Sequence, residues 1–69
     1  MIEVFKTDVL GVKESNYIVR TLLSFFPHYK INFDLDDCDK ILRVDAPVIR
    51  IEKIIQLLQS FGYQCEILE

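Results

Sequence analysis

The sequence predicts a single α+β domain over residues 1–69, with two helices on one face of a four-stranded antiparallel sheet, in the order β-α-β-β-α-β. Three observations carry that expectation. Residues 29–35 (YKINFDL) alternate apolar and polar side chains without a break, the period of a half-buried strand. Two segments, near 16–26 and 51–61, repeat apolar residues at helical spacing and are stopped by Pro27 and Gly62. The chain is short, at 69 residues, yet 51% hydrophobic with five Phe and three Tyr. A domain of that size buries only about 60% of its unfolded surface and needs such a dense core.

Each element follows in order. Residues 2–9 (IEVFKTDV) combine β-branched and polar residues and read as the first strand. Val4 and Phe5 are adjacent, so one of them points away from the core unless a bulge intervenes; Phe5 is expected on the outer face. Gly11 breaks the strand, and Ser15 or Asn16 can cap the helix that carries Ile18, Val19, Leu22, Leu23, Phe25 and Phe26. In the second strand Tyr29, Ile31, Phe33 and Leu35 face inward. Asp36, Asp37, Cys38 and Asp39 form a polar turn, and residues 40–46 (KILRVDA) return, completing a hairpin with Leu42, Val44 and Ala46 inward. The second helix spans 51–61 with Ile51, Ile54, Ile55, Leu58 and Phe61 as its stripe and Gly62 at a left-handed cap. Residues 63–68 (YQCEIL) supply a short last strand. Right-handed crossovers then give a ferredoxin-like sandwich with spatial strand order 4-1-3-2.

At this point the sequence resembles a heavy-metal-associated domain, the fold of copper chaperones. The carriers are Leu22-Leu23…Phe26-Pro27, the strand from Tyr29 to Leu35, and Ile54-Ile55…Phe61-Gly62-Tyr63-Gln64-Cys65-Glu66-Ile67. The resemblance covers essentially the whole chain, and it implies a Met-x-Cys-x-x-Cys loop ahead of the first helix, whose two thiolates suit Cu(I) or Zn(II). Those cysteine positions fall at about Val12 and Ser15 here, and nothing between Asp8 and Asn16 replaces the pair. A metal at the family loop is therefore not expected, and no cofactor is.

Other chemistry is scarce. Cys38 belongs to the turn between strands two and three and Cys65 to strand four. Strand spacings of ~4.8 Å hold them roughly 10–14 Å apart, beyond the about 7 Å that a disulfide allows. Cys65 reads as a small core residue and Cys38 as an exposed turn thiol. The acidic tip, Asp34 to Asp39, has three readings: a solvated turn using Asp for its turn chemistry, a docking site for a basic partner, or a cation site using Cys38 with Asp36, Asp37 and Asp39, completed between subunits. His28 is a surface turn residue. No Ser/His/Asp or Cys/His arrangement exists, and two glycines make no phosphate loop. The fold's acylphosphatase members carry an Arg in the first loop, which residues 9–13 lack.

Charge narrows the partners. A net charge of −3 and eight scattered Lys and Arg disfavour nucleic acid and anionic membranes. The first residues do not read as a signal peptide and no apolar run approaches the ~20 residues of a membrane span, so a cytoplasmic setting is expected. There both thiols stay reduced. The open sheet face, with Phe5, Ile41, Arg43 and Leu68, is the remaining candidate surface. The sequence thus points to a non-enzymatic interaction module that forms a homodimer or binds a protein partner. Metal handling through Cys38 and its neighbouring aspartates is the alternative.

Overall fold

A computed structural model describes residues 1–68. Its elements run β1 (Ile2–Thr7), α1 (Val12–Phe25), β2 (Lys30–Asp34), β3 (Ile41–Asp45), α2 (Ile51–Ser60) and β4 (Cys65–Ile67). The strands form one antiparallel sheet in the order β2-β3-β1-β4, which is the expected order counted from the other edge. This small α+β architecture is consistent with a ferredoxin-like fold.

Register decides which side chains meet the helices. Phe5 lies opposite Leu42 and Glu3 opposite Val44, and directly opposed residues share a face. Leu42 and Val44 are fully buried, so Glu3, Phe5 and Thr7 turn toward the helices while Ile2, Val4 and Lys6 turn away. The expectation that Phe5 lies on the outer face is thereby corrected: Phe5 is 0% exposed. Of two adjacent apolar residues competing for the core, the ring offers more surface for burial than valine. The same register turns Glu3, opposite the buried Val44, away from the open face.

Phe5, Val9, Leu42 and Val44 join Ile18 and Leu22 of α1 and Ile54 and Leu58 of α2 in one buried cluster. Both helices therefore cover the same sheet face. Among the described residues, no buried side-chain polar atom lacks a hydrogen-bond partner.

Element ends depart from the sequence reading in ways that local chemistry explains. The first helix starts a turn earlier than Ser15. Gly11 is extended at φ −106°, ψ 151°, an accepted N-cap residue, and its carbonyl accepts the Ser15 N–H at 3.0 Å. Glu14 in the first turn suits the positive end of the helix dipole. At the end of α2, Gly62 adopts φ 90° as expected. The Gly62 N–H donates to the Gln59 carbonyl and the Tyr63 N–H to the Leu58 carbonyl, the two bonds of a Schellman cap.

Two aromatics expected in the helix stripes are on the surface. Phe25 is 63% exposed and Phe61 37%, and Phe61 meets Tyr17 edge-on at 5.5 Å between ring centres. Phe26 instead turns inward and stacks on Tyr29 at 4.6 Å. The buried Tyr29 hydroxyl accepts the Arg50 N–H at 2.8 Å, tying the start of β2 to the start of α2.

Candidate functional site

The face of the sheet away from the helices carries three rows of mixed character. Lys30, Asn32 and Asp34 come from β2, Ile41, Arg43 and Asp45 from β3, and Ile2, Val4 and Lys6 from β1, as the registers require. Val4 sits opposite Arg43. Leu68 follows β4 and donates its N–H to the Val4 carbonyl at 2.9 Å, which sets it beside Val4. Ile2 is 51% and Leu68 39% exposed, with Val4 and Ile41 partly covered. Ile41, Arg43 and Leu68 are thus on the open side as expected, and Val4 with Ile2 takes the place assigned to Phe5. The adjacency of Val4 and Phe5 was the signal for this swap, but it did not say which of the two turned outward.

The acidic tip is built by its own side chains. The Asp34 Oδ1 accepts the Asp36 N–H at 3.2 Å and the Asp37 Oδ1 accepts the Asp39 N–H at 2.8 Å, the self-bonding for which Asp is selected in turns. Lys40 closes the loop with a left-handed φ of 46°. Its ammonium donates to the Leu35 carbonyl at 2.8 Å, and its own carbonyl accepts the Thr7 hydroxyl at 2.6 Å. Asp39 pairs with Lys6 at 3.7 Å, both partly exposed, an arrangement that contributes little to stability.

One ligand atom from each of Asp37, Cys38 and Asp39 lies within 4.8 Å of the others. Asp36 lies outside that group and lines a groove beside α1 instead. A soft thiolate beside two hard carboxylates on an exposed tip offers three donors, one fewer than tetrahedral zinc takes.

Val12 and Ser15 do not form a ligand pair. Val12 is 67% exposed, whereas Ser15 is 5% exposed and its hydroxyl donates to the Val12 carbonyl at 2.8 Å. Both border a groove of about 660 Å³ between the start of α1 and the free edge of β2, shared with Asn16, Val19, Asp34 and Asp36. His28 is exposed in the turn between α1 and β2.

The two thiols differ sharply. Both are unpaired, Cys38 exposed and Cys65 buried. Burial, with a smaller contribution from the Glu66 carboxylate, pushes the Cys65 thiol from 9.0 up to about 12. Folding therefore favours its protonated form. That stability is fully present below pH 9.0 and is lost as pH rises toward 12. A thiol reagent at neutral pH is expected to modify Cys38 promptly and Cys65 only after unfolding in urea. Equal reactivity of both thiols in the native protein would contradict this.

No family model, curated protein or solved structure matches the chain. No described helix is long and apolar enough to cross a membrane.

Proposed function

We propose that this chain is a non-enzymatic interaction module, a heavy-metal-associated-like scaffold working in the cytoplasm and using the open sheet face to engage protein surfaces. The observation that supports this reading most is the uncovered face itself, where Ile2, Val4 and Leu68 lie together and Val4 faces Arg43, with Ile41 next along β3. An apolar cluster rimmed by charge suits recognition of another protein. The test is affinity capture from the native host with the wild-type chain and with Ile41→Asp, folding being checked by circular dichroism. Partners held by the wild type and lost by the variant are the expected result. Identical partner sets would overturn the open-face reading.

The convergence of Asp37, Cys38 and Asp39 favours a second reading, in which the tip binds a cation with help from a second molecule. Against it, the Asx turns and the Lys6–Asp39 pair already account for the carboxylates. Titration of the reduced protein with Zn(II), Cu(I) and Ca(II) by calorimetry is expected to give no saturable heat. Saturable binding that disappears in Cys38→Ser would establish the second reading instead.

A further inference from the structure

The sheet has two free edges, β2 and β4, and each exposes backbone N–H and C=O groups that a further strand can pair. The two edges differ in what each would meet in a second copy of itself. An isologous antiparallel pair is centred on a two-fold axis. About Asn32, such pairing sets Lys30 against the second copy's Asp34 and Ile31 against its Phe33. Charge meets opposite charge on the open face, and apolar meets apolar on the helix face. The β4 edge is unsuited to this: it has three residues, and its centre would set Glu66 against Glu66, a like-charge opposition that destabilises.

We propose that two copies of this chain join through β2, antiparallel about Asn32, to make one continuous sheet from two four-stranded ones. The inference rests on the interaction-module reading above and adds a second copy of this chain as a partner, at the sheet edge. A two-fold perpendicular to the sheet keeps both helical layers on one side. The groove between α1 and β2, lined by Val12, Val19, Ile31 and Phe33, then lies along the seam and is covered by its counterpart. Ile31 and Phe33 are only half-buried in the single chain, and the seam completes their burial. The open faces of the two copies become one surface, leaving Ile41 and Arg43 free for a foreign partner.

Sedimentation equilibrium under reducing conditions, which exclude a Cys38 cross-link, tests the proposal. The wild type is expected at twice its 8.1 kDa monomer mass. Lys30→Asp and Asp34→Lys each turn two attractions into two repulsions, and each is expected to weaken the dimer by about tenfold or more. An equimolar mixture of the two variants restores both attractions and is expected to dimerise as tightly as the wild type. Lys30 also faces Asp45 within the chain. Should Lys30→Asp fail to fold, Asp34→Lys alone decides, because added salt then strengthens its dimer by screening the new repulsion from Lys30. Ile41→Asp leaves the dimer intact. A wild type that stays monomeric to millimolar concentration overturns the proposal. So does a dimer indifferent to the charge reversals, or a mixture as weak as its components. A dimer lost only in Ile41→Asp would place self-association on the open face, removing the edge seam while preserving the interaction reading.

Discussion

Phe5→Ala is expected to lose about 3–5 kcal/mol of stability, the usual cost of deleting a fully buried phenylalanine. The ring is 0% exposed and packs in the cluster with Leu42, Ile18 and Leu22. A domain of this length has about 3–10 kcal/mol in total, so the variant should be unfolded or close to it at room temperature. Its neighbour supplies the control. Val4 turns to the open face beside Leu68, and Val4→Ala should cost less than about 1 kcal/mol. Urea denaturation of both variants measures the difference. A larger loss from Val4→Ala than from Phe5→Ala would mean that β1 is paired with the opposite face inward, because a one-residue slip exchanges every side chain between faces.

Thr7→Val should lose about 1–3 kcal/mol, although the two side chains have nearly the same shape. The buried Thr7 hydroxyl donates to the Lys40 carbonyl at 2.6 Å and accepts the Val9 N–H at 3.3 Å. The Thr7 N–H donates to the Asp39 carbonyl at 3.0 Å. One residue thus ties the end of β1 to the base of the acidic loop, and it holds Lys40 in a left-handed conformation that a side chain disfavours. Valine would leave a carbonyl and an N–H without partners, and the loop would lose its anchor. Thr7→Ser keeps the hydroxyl and should recover most of the loss. Hydrogen exchange at the Val9 amide, faster in Thr7→Val than in Thr7→Ser, reports the same bond locally. Equal losses in the two variants would assign the effect to the methyl group and its packing.

The candidate surfaces were only partly legible. The acidic tip and the lack of Cys or His between Asp8 and Asn16 stand out in the sequence because they depend on residue type alone. The composition of the open face does not, because it depends on pairing: Ile41, Arg43 and Leu68 were assignable once the strands were placed, whereas Phe5 was not. Phe25 and Phe61 were misplaced for a related reason. Helical spacing puts a residue on a stripe, but the width of the stripe that a neighbour covers is set by packing, and both rings fall at its rim.

By itself, the sequence determined the order of the elements, the strand order, the stopping of α2 at Gly62 and the absence of a cysteine pair ahead of α1. These follow from side-chain periodicity, backbone allowances and residue identity, which act over a few neighbours. The tertiary structure alone decided which of Val4 and Phe5 is buried, where α1 begins, and that Thr7 fastens the loop 33 residues away in sequence. Those outcomes come from competition for one shared core and from hydrogen bonds between distant segments. No local pattern encodes either until the chain has closed on itself.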